Sequence, residues 1–242
     1  MALSVIDVSG FGAALGQEVT KNGQAFLDRG ELARLEAFSS AKRQRQWLGG
    51  RIAAKRAALQ LVTGTPDGGN GFHRLRIEND AMGRPYLHAV GKDPAGVAPG
   101  SLPEISISHS GHLAAGLAVS PYPCGVDIQK VTAKTIAVSD RFVTAAERAV
   151  LRAAAGLRHA GEAEALTLLW AAKESLRKAV ACQPLLGFQE LHLTHLGETT
   201  PHGGMIARCL SPRLAARVLP PIFLALHGGY ALAIAINHCR EP

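Results

Sequence analysis

No stretch of this chain reaches the roughly 18 to 20 uninterrupted apolar residues that a membrane-spanning helix needs, so no membrane partner is expected. Cysteine is scarce and scattered. Cys124, Cys182, Cys209 and Cys239 make no C-x-x-C pair, which argues against a zinc ribbon or a small disulfide scaffold and leaves reduced, structural cysteines. Aromatic residues are only 5%, and no helix-turn-helix, zinc-finger or RNP pattern occurs, so the usual nucleic-acid-binding motifs are missing. There is no G-x-S-x-G elbow for a serine hydrolase. The opening "MALSVIDVSG" has an early acid and no basic run, so it does not read as a signal peptide, and the expected compartment is the cytoplasm.

What is present is ample apolar material and an excess of positive charge. Hydrophobic residues make up 47% of 242, enough to pack one large domain or two small ones. The formal net charge of +7 implies an anionic partner: nucleic acid, a phosphate-rich small molecule or an acidic protein.

Self-comparison reveals a repeat. "AAK" at Ala53 to Lys55 returns at Ala171 to Lys173, and "HSGHLAAGLAV" from His109 is echoed by "HGGYALAIAIN" from His227, both at one shift. Each half reads as a helix, an irregular stretch, and a strand entered through a His-x-Gly turn. Gln46 to Val62 has good helix formers, with Leu48, Ile52, Leu59 and Val62 on an apolar side; Leu166 to Ala181 does the same in the second half. "LAAGLAVS" and "YALAIAIN" are short and continuously apolar, as buried strands are. The expected architecture is therefore α+β, two lobes about a pseudo-twofold axis, divided in "SPYPCG" into residues 1–123 and 124–242. "TAAE" at Thr144 to Glu147 is a capping box, a structural role for Glu147. "TPDGGNG" from Thr65 and "GKDPAGVAPG" from Gly91 read as surface loops.

Four constellations could carry chemistry. In "CGVDIQK", an extended backbone puts Asp127 and Gln129 on one face and Val126 and Ile128 on the other; a lone strand aspartate is, however, more often a helix cap or an arginine partner. In "WAAKESLRKA", Trp170, Glu174 and Lys178 form one helical stripe flanked by Lys173 and Arg177. The bland alternative is an amphipathic helix with a Glu-to-Lys pair, and the surplus of cations around one acid favours a metal-and-phosphate site instead. "ISISHSGH" ends a strand in a polar turn where Ser108, His109 and open backbone N–H groups can hold phosphate; as strand neighbours, Ser108 and His109 face opposite ways and cannot act as a nucleophile–base pair. Finally, Lys42, Arg43, Arg45, Arg51, Lys55 and Arg56 crowd one segment, and Arg84 follows in "GRPY". Arg51 and Lys55 are four apart and could grip one phosphate, although a solvated basic face explains such a cluster equally well.

In this order, "GRPYL", "ISISHS", "GVDIQ" and "WAAKESLRKA" resemble the successive motifs of the 4'-phosphopantetheinyl transferase superfamily, in its surfactin-synthetase type. The resemblance implies two similar α+β lobes that bind coenzyme A and Mg2+, and transfer of the phosphopantetheine arm to a serine of an apo acyl or peptidyl carrier protein, releasing adenosine 3',5'-bisphosphate. It implies that Asp127 and Glu174 ligate magnesium, with Gln129 joining directly or through water where many relatives carry a glutamate. Glu174 and Lys178 become the catalytic pair, Lys178 on the pyrophosphate, with Glu174 or a metal-bound water as base. Arg51, Lys55, Arg84, Ser108, His109, Lys173 and Lys178 become coenzyme A contacts. A cytoplasmic monomer with no nucleic-acid partner goes with this reading. The alternatives are a non-catalytic coenzyme A or carrier-binding module, and a basic nucleic-acid-binding protein that would use Lys42 to Arg56 on phosphates.

Overall fold

A computed structural model describes residues 1–9, 11, 25–65, 71–90, 102–180, 184–199, 203–215 and 217–238. The loop "GKDPAGVAPG", the interior of "TPDGGNG", and Cys182 and Cys239 lie outside the described residues. The chain divides into two compact units, Met1–Pro123 and Cys124–Pro242.

The first unit runs β1 (Ala2–Asp7), α1 (Arg29–Glu36), α2 (Ala41–Thr63), β2 (Leu75–Asn79), β3 (Pro85–Ala89), β4 (Glu104–Ser110) and β5 (Leu113–Val119). Strands β1, β5 and β4 form an antiparallel sheet in that order, and β2 pairs with β3. Helix α2 starts five residues before the expected Gln46, because the Ser40 side chain caps it and the segment with Lys42, Arg43 and Arg45 forms its first turns; Gly64, at φ 72°, closes it. Its alanines, Ala53, Ala54, Ala57 and Ala58, are buried together with Leu48, Ile52 and Leu59, whereas Val62 lies outside the core. Gly116 of β5 permits this packing, since a Cβ there would collide with the backbone of Ala53 and Ala54.

The second unit runs β6 (Cys124–Lys130), α3 (Ala145–Ala153), α4 (Glu162–Val180), β7 (His192–Thr199), β8 (Met205–Leu210), β9 (Ile222–His227) and β10 (Tyr230–Ile236). All five strands join one antiparallel sheet, ordered β6-β10-β9-β8-β7. The hairpin β9–β10 turns at Gly228 and Gly229, both at positive φ.

The repeat extends to a buried polar node that appears once in each unit. In the first, Asp28 caps α1 and Glu31 completes a capping box. Glu31 also accepts the Ile77 N–H of β2 at 3.0 Å and meets the Lys55 ammonium at 2.5 Å, while Lys55 donates to the Phe26 carbonyl at 2.9 Å. In the second, Thr144 caps α3 with Glu147 in the same box. Glu147 accepts the Leu193 N–H of β7 at 2.9 Å and pairs with Lys173 at 2.7 Å, and Lys173 donates to the Phe142 carbonyl at 2.6 Å. Both lysine side chains are fully buried.

Lys55 and Lys173 thus depart from the expected coenzyme A contacts. Their ammonium groups are sealed in the cores, where an unpaired charge would be severely penalised and a glutamate plus a carbonyl satisfy it. Burial pushes the Glu147 carboxyl up, but the Leu193 N–H, the Lys173 ammonium and the Thr144 N–H together hold it below its ordinary value of 4.5.

Lys173→Met strands a buried carboxylate and should cost about 3–5 kcal/mol in urea denaturation. Lys173→Met combined with Glu147→Gln keeps an acceptor for the cap and should recover part of that loss. Because the Glu147 pKa is depressed in the fold, its contribution is complete above about pH 4.5 and is lost as pH falls through the folded value.

Candidate active site

Strand β6 lies at the edge of its sheet, paired on one side with β10, and Asp127 and Gln129 sit opposite Ala233 and Ala231. Small partners leave room for the polar side chains. Gln129 donates its amide to Asp127 Oδ2 at 3.0 Å, as two side chains on one strand face can. Asp127 is only 2% exposed, so its charge needs a partner.

Helix α4 supplies it. Lys178 donates to Asp127 Oδ1 and to the Val126 carbonyl, each at 2.8 Å. This reach depends on close approach of α4 to β6: a Cβ at Gly125 would collide with the Ser175 carbonyl. One turn earlier on α4, Glu174 is held by Arg177 at 2.6 Å. The Arg177 guanidinium lies 4.6 Å over the Phe188 ring, and its Nε is buried without a hydrogen-bond partner. Trp170, on the same helical stripe, packs edge-on to Phe142 at 5.0 Å and against Phe188 at 4.4 Å, so it serves as wall rather than as a reacting group.

The structure therefore joins Asp127, Gln129 and Lys178 in one cluster and sets Glu174 one helical turn from Lys178. Among the described residues no group of three or more His, Cys, Asp or Glu side chains is assembled as a metal cluster. The donor chemistry nevertheless fits magnesium, which takes one or two carboxylates and keeps several waters. Asp127 and Glu174 offer hard oxygen donors, each already matched by a cationic side chain, Lys178 and Arg177. Gln129 turns its amide nitrogen, not its oxygen, toward Asp127, so direct ligation by Gln129 requires rotation of the amide.

In the first unit the expected residues separate. Ser108 is buried and His109 exposed, the opposite orientations that neighbouring strand residues take. Arg84 is paired with Glu104 at 3.0 Å. Arg51 is 7% exposed, stacks 4.5 Å over Trp47, donates to Asn79 at 3.3 Å, and has a buried, unpartnered Nε. Burial pushes its guanidinium down to about 10. With Lys55 in the core, the two do not grip one phosphate.

His109 instead lines a cavity of about 550 Å³ with Arg34, Lys42, Arg43, Gln46 and Trp47. Arg43 lies 5.1 Å over Phe38, whose ring is 5.8 Å from Trp47, so cations and aromatic faces alternate along the wall. Sequence reasoning noted Lys42 and Arg43 only as part of a basic run and missed Arg34 and Trp47. The available signal was the i,i+4 spacing of Arg43 and Trp47; what hid the site was that His109 reaches it from a distant strand.

Comparison with known proteins places residues 123–235 in a family model described as the 4'-phosphopantetheinyl transferase superfamily. The chain is similar to a holo-[acyl-carrier-protein] synthase of Geotalea daltonii, 31% identical over 120 residues, covering 48% of this chain and 93% of that protein. A holo-[acyl-carrier-protein] synthase of Staphylococcus carnosus is 35% identical over 69 residues, 28% of this chain and 58% of that one. Among solved structures, a Bacillus anthracis holo-(acyl-carrier-protein) synthase in complex with CoA (3',5'-ADP) matches at TM-score 0.37 and 23% identity, over 49% of this chain and 95% of that one. The Neisseria meningitidis holo-[acyl-carrier-protein] synthase matches at TM-score 0.38 and 19% identity, over 48% and 93%.

Gln129→Glu removes the amide donor to Asp127 and sets a second carboxylate beside it. Without metal the variant should melt below wild type; with millimolar magnesium or manganese its melting temperature should rise further than wild type's, because a ligand that binds only the folded state stabilises in proportion to its affinity. An equal rise in both proteins would mean that position 129 takes no part in metal binding.

Proposed function

The chain belongs to the 4'-phosphopantetheinyl transferase superfamily, and we propose that it transfers the 4'-phosphopantetheine arm of coenzyme A to a serine of an apo acyl or peptidyl carrier protein. The observation that carries this reading is the Asp127–Lys178 pair with Glu174 one turn away, within the unit that the family model matches. Two acids, each matched by a cation and carried by adjoining elements, are suited to a pyrophosphate with its counter-ion; an inert binding module has no use for a buried acid at a sheet edge.

In the reaction, the carrier serine oxygen forms a bond to the phosphorus that bears the pantetheine arm. The bridging bond to the other phosphorus breaks, and adenosine 3',5'-bisphosphate leaves with that electron pair. We assign the serine proton to Glu174, which Arg177 holds in a fixed rotamer. Lys178 is assigned to the pyrophosphate oxygens, where a fixed ammonium in a partly buried setting stabilises developing charge better than water does. Asp127 and Glu174 would hold magnesium, with Gln129 directly or through water, and the bound ion would neutralise pyrophosphate charge.

For the nucleotide end of coenzyme A, we assign the cavity beside His109 in the first unit. Arg34, Lys42 and Arg43 supply the positive charge, and the faces of Phe38 and Trp47 supply a surface for a base. These residues take the part expected of Lys55, while Arg51, behind Trp47, backs the wall. Ser108 and Arg84 stay with the same ligand in this reading, and Lys173 does not. Among the described residues no helix is long and apolar enough to cross a membrane, and a cytoplasmic monomer of the surfactin-synthetase type is the setting we assign.

The test is incubation with coenzyme A, magnesium and apo carrier proteins, read by intact mass spectrometry: one phosphopantetheine added to the carrier is expected. Asp127→Ala and Glu174→Ala should each lower the rate by about 100-fold or more at an unchanged fold, as loss of a preorganised charge in a reacting site does. No adduct on any carrier would leave a binding module as the better reading.

A further inference from the structure

One cation of α4 has no part in the expected coenzyme A contacts, yet it holds the residue on which the chemistry turns. Arg177 donates to Glu174 Oε1 at 2.6 Å, three residues back along the helix. An exposed pair of this spacing contributes little, because water screens it and two long side chains must be held still. This pair is neither exposed nor loosely held. The two side chains are only 18% and 23% exposed, and the Arg177 guanidinium lies 4.6 Å over the Phe188 ring. Phe188 is itself packed 4.4 Å from Trp170, one helical turn before Glu174, so the aromatic wall fixes the plane of the guanidinium. The Arg177 Nε is buried with no hydrogen-bond partner. A solvated helix face would give that N–H to water; here it is left unmet so that the guanidinium stays flat on the ring and aimed at Glu174.

We propose that Arg177 is a positioning residue that clamps Glu174 against a lone divalent ion, so that metal and pyrophosphate bind as a pair. The identity of both ligands rests on the transfer reading above. Charge balance supports the clamp. Asp127 and Glu174 carry two negative charges, and Lys178 and Arg177 match them pair by pair, so these four side chains sum to zero. A lone magnesium ion would add two uncompensated positive charges, and a lone pyrophosphate diester two negative ones; the two together add none. Beside an aspartate that is almost fully buried, uncompensated charge is costly, so each ligand assists the other. Lys178 does not supply this restraint at Glu174, since it is bonded to Asp127 and to the Val126 carbonyl on β6. Without Arg177 the remaining three side chains carry a net negative charge, and Glu174 stands open to a bare ion.

Thermal melting and titration calorimetry with magnesium chloride, coenzyme A, or both test this. In wild type, the rise in melting temperature with both ligands should exceed the sum of the separate rises, as positive coupling requires. Arg177→Met should bind magnesium alone roughly tenfold more tightly than wild type, the scale on which residues behind a metal ligand act, and should lose most of that excess. Arg177→Lys returns the charge and should bring magnesium affinity back to within a few-fold of wild type. A merely structural pair would lower the melting temperature of Arg177→Met by the same amount in every condition and leave its magnesium affinity unchanged. That result, or additive rises in wild type, would overturn the proposal; the wild-type comparison decides even where Arg177→Met fails to fold. The clamp and the reaction are separable. Magnesium affinity that depends on Arg177 in a protein that forms no carrier adduct keeps the clamp and removes the transferase reading. A carrier adduct together with magnesium affinity indifferent to Arg177 removes the clamp.

Discussion

A lysine ammonium sealed beside a glutamate organises each half of this protein. The glutamate simultaneously closes a helix N-terminus, accepts a strand N–H and neutralises a lysine from the central helix, so three elements converge on one carboxylate. An apolar cluster could fill the same volume, but it would not fix the rotation of the central helix. The lysine does: once Lys173 points into the core, Glu174 and Lys178 must emerge on the neighbouring faces of α4. The site on β6 is thus set by a residue that never touches it.

The same node in both halves shows what duplication kept and what it released. Register and repeat together make Val5 the counterpart of Asp127, since Val5 faces Ala115 as Asp127 faces Ala233. Arg56 and Gln60 stand, one repeat earlier, where Glu174 and Lys178 stand. The buried scaffold is preserved, while the acids exist in one unit only. Cations line the cavity around His109 in the other.

This asymmetry also explains what was legible in the sequence. The two central helices, the strands after the His-x-Gly turns and the Thr144–Glu147 capping box follow from local propensity and spacing, and the structure contains them. The contact of Gln129 with Asp127 follows from strand alternation alone. Lys55 and Lys173 misled because a lysine in a basic, motif-like run reads as a ligand; only the three-dimensional approach of Glu31 and Glu147, more than twenty residues away, makes them interior. Arg34 and Trp47 were invisible for the converse reason. Their meaning depends on which strand passes beneath the start of α2, a long-range fact that periodicity does not encode.

The acids and cations of the second unit show how a cluster of charges can be stable with no ligand bound. Asp127 is nearly inaccessible, and a bare carboxylate there would cost several kcal/mol, so Lys178 is held to it, while Arg177 holds Glu174. Each pairing is intramolecular and compact, and each uses groups that a pyrophosphate and its counter-ion would also engage. Lys173, bonded to Glu147 and to the Phe142 and Phe188 carbonyls, is sealed in the core, whereas Lys178 is about 30% exposed and open to exchange of partners. The difference in burial between two lysines five residues apart on one helix therefore separates a core brace from a side chain that solvent and ligands can reach. Gly125 is the residue that allows it, by letting α4 come close enough for Lys178 to reach the strand while its head stays near solvent.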